Sequence, residues 1–321
     1  MGPRGVGSRA WKLVALVAAA ALLLLPGSAL AKKKHKKPKV LGPVVTVTAT
    51  GNTTTSSGQF SVADATCPSG LQAAGGGFSA PFNGEIAAFV VTESYRSSPT
   101  TWRVRALDGD GVGAATAWAY CRRNNRTITD ATATAIVPSG QTQSAKAQAL
   151  CPPGVAAISG GFQITAGPGS ALAIPMESIG GGPTPGGTPP VGNWSVTALN
   201  ASAPSQTITA HAYCMAGITL PAFRQDQASA LVPHLGTLTA ASSCPAVKKP
   251  KKKKGKKKRK KTPAQLLSAG AFYSPFTPGS SSVVPVHTDS HIIGNGFIDT
   301  AVNAGSAPSG TMTVQSQAMC F

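Results

Sequence analysis

The chain has 321 residues, room for two or three ordinary domains. Charged residues make up 12% and aromatics 6%, against 36 Gly and 26 Pro. Gly and Pro interrupt helices while Thr and Val favour strands, so a largely helical fold is excluded and many short strands joined by turns are expected.

Residues 1–31 read as a targeting segment. Arg4, Arg9 and Lys12 give a positive start, residues 13–25 form an unbroken apolar run of thirteen, and Ala29-Leu30-Ala31 follows as a small-residue cleavage site. Thirteen residues fall short of the roughly 20 needed to span a bilayer. A secretory signal cleaved after Ala31 is therefore expected, leaving a secreted or cell-envelope protein. Six cysteines follow, at Cys67, Cys121, Cys151, Cys214, Cys244 and Cys320, an even number that suits three disulfides in an oxidising compartment.

The formal net charge of +19 is concentrated in two places. A basic linker, residues 32–42, carries Lys32, Lys33, Lys34, Lys36, Lys37 and Lys39. A second run carries Lys248, Lys249, Lys251, Lys252, Lys253, Lys254, Lys256, Lys257, Lys258, Arg259, Lys260 and Lys261. Only eight other Lys and Arg follow residue 31, against ten Asp and Glu in the whole chain. The remainder is a nearly neutral body.

That body reads as three copies of one module, residues 43–123, 124–217 and 218–321. The first opens Val45-Thr46-Val47-Thr48, then Gln59-Phe60-Ser61-Val62, both alternating as half-buried strands do. Cys67-Pro68-Ser69-Gly70 leads to Gly75-Gly76-Gly77-Phe78. Glu93-Ser94 comes fifteen residues after that Phe, followed by the Trp102-x-Val104-x-Ala106 strand and Ala119-Tyr120-Cys121. The second module repeats this as Cys151-Pro152-Pro153-Gly154, Ser159-Gly160-Gly161-Phe162, Glu177-Ser178, Trp194-x-Val196-x-Ala198 and Ala212-Tyr213-Cys214. The third departs further: Cys244-Pro245, Gly270-Ala271-Phe272, Asp289-Ser290, Phe297 in place of Trp, and Ala318-Met319-Cys320. Its Cys-to-Phe spacing is 28 residues rather than eleven, and the extra length holds the insertion 248–261. Residues 180–192, rich in Pro and Gly, lengthen one loop of the second module.

Each module has one Cys near its second strand and one on its last, which selects the pairs 67–121, 151–214 and 244–320. The expected fold is all-β: three tandem small β-sandwich or open-barrel modules, each closed by one disulfide. The Gly-Gly-Phe segment reads as a bulge or close strand approach. Cys-Pro-x-Gly, a Gly-rich turn, a Trp strand and a terminal Cys together resemble a recurrent kind of secreted actinobacterial module. That resemblance implies an extracellular or cell-envelope setting and carries no activity.

Chemistry-bearing motifs are sparse. Paired cysteines leave no thiol nucleophile, and no serine-hydrolase elbow or His-Glu-x-x-His occurs. Glu93, Glu177 and Asp289 recur at one position, which favours a structural hydrogen bond; the sharper alternative is one ligand cleft per module. His287, Asp289 and His291 would share a face of a regular strand and form a weak candidate metal site. His211 aligns with Trp118 and Gln317, unlike residues that suggest a solvent-facing position. Trp102, Trp194 and Phe297 read as core rather than sugar platforms. Asn52, Asn125, Asn193 and Asn200 begin glycosylation sequons.

The reading is a non-enzymatic secreted or cell-surface protein without cofactor. Its Lys runs would hold anionic envelope polymers, acidic glycans, an anionic lipid surface or extracellular nucleic acid. The alternatives are a multivalent carbohydrate-binding protein and, third, a metal-dependent hydrolase using His287, Asp289 and His291.

Overall fold

The computed structural model describes residues 44–82, 89–109, 113–123, 126–140, 143–165, 173–181, 192–200, 204–218, 222–244, 266–273, 284–305 and 309–320. Both Lys runs and most of the Pro/Gly stretch after residue 180 lie outside them.

Alternation and turn chemistry divide each module into six strands. The first holds β1 (Val45–Thr50), β2 (Phe60–Thr66), β3 (Gln72–Ser79), β4 (Phe89–Ser98), β5 (Thr101–Asp108) and β6 (Thr116–Arg122). The second holds β7 (Ile128–Val137), β8 (Gln143–Leu150), β9 (Val155–Thr165), β10 (Ala173–Gly180), β11 (Asn193–Asn200) and β12 (Gln206–Ala216). The third holds β13 (Ala222–Pro233), β14 (Thr237–Ser243), β15 (Leu266–Tyr273), β16 (Pro285–Ile293), β17 (Gly296–Asn303) and β18 (Ser309–Cys320). No helix occurs among the described residues. The chain is all-β, as its composition requires.

Each module is a two-layer sandwich whose first, sixth and third strands lie in one sheet and whose second, fifth and fourth lie in another. The sheets do not stop at module boundaries. Three six-stranded sheets run β2-β5-β4-β9-β12-β7, β8-β11-β10-β15-β18-β13 and β14-β17-β16-β3-β6-β1. In every case the second, fifth and fourth strands of one module continue into the third, sixth and first of the next. The third module continues into the first, so the sheets form a closed cycle. Tandem order in the sequence thus becomes mutual completion in space, which alternation within single strands does not reveal.

The disulfides have the expected pairs: Cys67–Cys121, Cys151–Cys214 and Cys244–Cys320, with Cα–Cα distances of 5.6, 5.6 and 5.5 Å. Each ties the end of a module's second strand to its sixth, and so joins the two layers of one sandwich. In the chain-entropy account a closed loop of this length contributes roughly 4 kcal/mol.

The core is unusually small in its side chains. Ala63, Ala65, Ala106, Ala117 and Ala119 in the first module are fully buried around Trp102, and Ala147, Ala149, Ala198, Ala210 and Ala212 around Trp194. Alanine-rich faces bring the layers close, and one buried indole, Trp102 or Trp194, fills the remaining space in each of these two modules. Glycine makes room for it: a Cβ on Gly76 would lie 2.1 Å from Trp102, and one on Gly160 would lie 2.0 Å from Trp194.

Candidate functional site

The recurrent motifs converge on the junctions between modules. Where β4 meets β9, Glu93 is in register with Gln163 and Ser94 with Phe162. Where β10 meets β15, Glu177 pairs with Tyr273 and Ser178 with Phe272. Where β16 meets β3, Asp289 pairs with Ser79 and Ser290 with Phe78. The acidic-Ser dipeptide of one module therefore lies against the Gly-Gly-Phe segment of the next. The second glycine permits the approach, because a Cβ on Gly77 or Gly161 would sit 2.3 Å from the carbonyl oxygen of Ser290 or Ser94.

The serine of each dipeptide also faces inward. Trp102 Nε1 donates to Ser94 Oγ at 3.1 Å and Trp194 Nε1 to Ser178 Oγ at 2.9 Å. Each thereby gives a buried indole its partner. The carboxylates take cations from their own module: Glu93 accepts from Arg105 at 3.2 Å, and Glu177 from Lys146 at 2.9 Å and Thr197 at 3.0 Å. A register shift precedes each acid, between Val91 and Glu93, Pro175 and Glu177, and His287 and Asp289. Both Glu93 and Glu177 are buried. These contacts give the recurrent acids a structural place in the junction strands.

The closing Ala-Tyr-Cys motif supplies a clamp that the sequence did not disclose. Tyr213 Oη accepts the backbone N–H of Arg96 at 2.6 Å, and Tyr120 Oη accepts that of Ile292 at 2.8 Å. Each donor lies two residues past the junction serine of the preceding module. Burial pushes both phenols well above the ordinary tyrosine value, so they stay protonated. The third module has Met319 at this position. Gln317 takes over there, accepting from Gly180 N at 3.2 Å and donating to Gly180 O at 3.3 Å.

No protein-family model matches the chain, and no curated protein matches it.

Three expectations change. First, His287, Asp289 and His291 do not share a face. The register shift at Thr288 turns His287 inward, where Nδ1 meets Asp299 Oδ2 at 2.9 Å with both side chains fully buried. His291 Nδ1 instead meets Asp289 Oδ1 at 2.5 Å on the outer side. No cluster of three metal-ligating side chains occurs among the described residues. Second, the position shared by Trp118, His211 and Gln317 faces a junction, not open solvent. Trp118 stacks on His291 at 4.2 Å and His211 on Tyr95 at 4.9 Å, while Gln317 is buried. Third, the sequons at Asn193 and Asn200 are buried in β11, which closes them to a glycan in the folded chain. Asn52 is exposed, although its amide already bonds Phe60 O and Val62 N. Asn125 lies outside the described residues.

Trp102, Trp194 and Phe297 are core residues, as read. In the third module the Trp–Ser bond is rebuilt with other atoms. Phe297 has no N–H, and Ser290 instead bonds Asp299, which stands where the other modules have Val104 and Val196. Burial raises the Asp299 carboxyl above its usual range, and His287 opposes that rise. The paired replacement of Val91 and Val104 by His287 and Asp299 was visible in the self-alignment and would have identified this contact.

Where the junctions meet, a cavity of about 10 Å³ is lined by Phe78, Phe162, Trp102, Ser94, Ser178 and Ser290, with four glycines. That volume is at the lower limit for one water molecule. Phe78 and Phe162 occupy the centre edge to face, 6.2 Å apart.

Four of the eight body cations are paired with carboxylates. Arg96 pairs with Asp130, Arg103 with Asp64 at 2.7 Å, Arg105 with Glu93 and Lys146 with Glu177. Val44 packs on a cluster formed by Tyr120, Cys244, Phe297, Ala318 and Cys320. Lys39 precedes Val44 by five residues, and Lys248 follows Cys244 by four.

Proposed function

We propose that this is an exported, non-enzymatic scaffold that attaches to anionic polymers through its two polycationic segments. The observation that carries this reading is the segregation of charge. Eighteen Lys and Arg fall in two short runs, while only eight lie in the folded body, four of them paired with carboxylates. Twelve cations within fourteen residues repel one another and contain nothing to bury, so their favourable contacts are with a polyanion. Neutralising such a polymer releases its counterions, which gives affinity without sequence specificity and a steep dependence on salt.

The shared anchorage of Val44 and Cys244 supports joint action of the runs. Both are tethered within a few residues of one hydrophobic cluster, so binding by one raises the effective concentration of the other. Three disulfides fit an oxidising compartment, and with the signal-like residues 1–31 they support export to the cell surface or medium. There the available partners are acidic envelope polymers and glycans, anionic headgroups and extracellular DNA.

The test compares the intact protein with a variant lacking residues 248–261 on heparin and DNA columns. Deletion should lower the eluting salt concentration markedly and leave thermal unfolding nearly unchanged. Equal retention of the two proteins would overturn the proposal.

A further inference from the structure

The third module is joined to the other two by one peptide connection, residues 217–221, in which Gly217 takes φ +66°. Its disulfide, Cys244–Cys320, lies wholly within it. No covalent bond therefore holds β16 to β3 or β15 to β10 apart from that single connection. Each of these junctions has two registered residue pairs.

The two junctions are nonetheless specific. At one, Gln317 brackets the backbone of Gly180. At the other, Ile292 N–H donates to Tyr120 Oη, Ala80 N–H donates to Thr288 O at 2.7 Å, and His291 stacks on Trp118. Removing the third module would leave β3 and β10 as open sheet edges, which present rows of unpaired backbone groups. The strands that fit them are β16 and β15. A second copy of this chain supplies the same two strands with the same side chains.

We infer that the third module is exchangeable between two copies of this chain, β3 and β10 of one copy being completed by β16 and β15 of the other. The registered pairs and hydrogen bonds named above would be the same in the exchanged pair, each formed between copies instead of within one. This is the condition under which domain swapping has little thermodynamic cost and is limited by partial unfolding. The surface involved is the junction itself, and the partner is the same protein.

The pair Ser79→Cys and Asp289→Cys places a cysteine on each side of the β3–β16 junction, at registered positions. Light and heavy isotope-labelled batches of this variant are mixed, unfolded with native disulfides intact and refolded together. Exchange predicts a dimer that persists on dilution and carries crosslinked peptides combining light with heavy chains. At low dimer occupancy, its share should rise about tenfold for a tenfold higher refolding concentration. Monomer at every concentration, or dimers whose engineered crosslinks all lie within one chain, would overturn the inference. Should the variant fail to fold, the native sequence is refolded in the same way and read by native mass spectrometry. A mixed light–heavy dimer that persists in high salt then supports exchange, and its absence counts against it.

Discussion

The buried His287–Asp299 pair offers the sharpest energetic test, because the protein contains its own control. At the corresponding positions the first module has Val91 and Val104, both fully buried. Replacing His287 alone by Val would take the imidazole partner from the buried Asp299 carboxyl, a loss of about 1–3 kcal/mol. Replacing both residues by Val restores the arrangement of the first module and should be neutral or stabilising by about 1–4 kcal/mol at neutral pH. The sign of the pH dependence follows from Asp299. Burial raises its folded-state pKa, the charge and hydrogen bond of His287 and the bond from Ser290 pull it back, and Asp289 raises it further. A carboxyl whose folded pKa exceeds the unfolded value, roughly 3.9, contributes stability below that value and loses it as pH rises through the folded pKa. The strands hydrogen-bonded to β16 and β17 add little charge: β3 and β14 contain no titratable side chain, and Asp289 is the nearby acid on β16 itself. Urea unfolding from pH 3.5 to 8, followed by tryptophan fluorescence, should show the native protein losing ground to the double valine variant as pH rises. A double variant less stable by more than about 2 kcal/mol at pH 7, or a difference flat with pH, would refute the reasoning.

Other junction residues give independent readouts. Tyr213→Phe removes the acceptor for Arg96 N–H and should cost about 1–2 kcal/mol in urea unfolding, with unchanged disulfides. Gly161→Ala drives a Cβ into the Ser94 carbonyl and should cost at least about 1–3 kcal/mol. Gly154→Ala meets nothing within 4 Å and should be milder despite its positive φ, so the order of the two midpoints is the check. Burial lowers the pKa of His211, with Asp130 opposing, so its contribution is present above about pH 6.5 and lost as pH falls through the folded value. His211→Gln, which copies Gln317, should reduce the acid sensitivity of thermal unfolding between pH 7 and 5.

Much of the fold was legible because its determinants are local and repeated. Cys67 and Cys121 recur with the same surroundings as Cys151 and Cys214, which fixed the pairing. The spacing of Trp102, Val104 and Ala106 showed one buried face. The partner of each Glu-Ser dipeptide was not legible, since register between modules leaves no periodic trace in either strand. Position 211 misled for a related reason: Trp118, His211 and Gln317 are dissimilar because each meets a different neighbour, Tyr95 in the case of His211, not because they face water. The His287-x-Asp289-x-His291 pattern failed because one extra residue at a bulge reverses the alternation on which it depended.

The cyclic order of the sheets also bears on how such a sequence can change. Were each module a separate polypeptide, a threefold homotrimer would be the matching closed assembly, and every substitution would recur at all three junctions at once. Concatenation removes that constraint. The third module alone has Phe297 at the tryptophan position, Met319 with Gln317 at the clamping tyrosine, and His287 with Asp299 where the first module has Val91 and Val104. The same freedom lets one copy alone carry a long cationic insertion, while its two sisters keep the shorter turn.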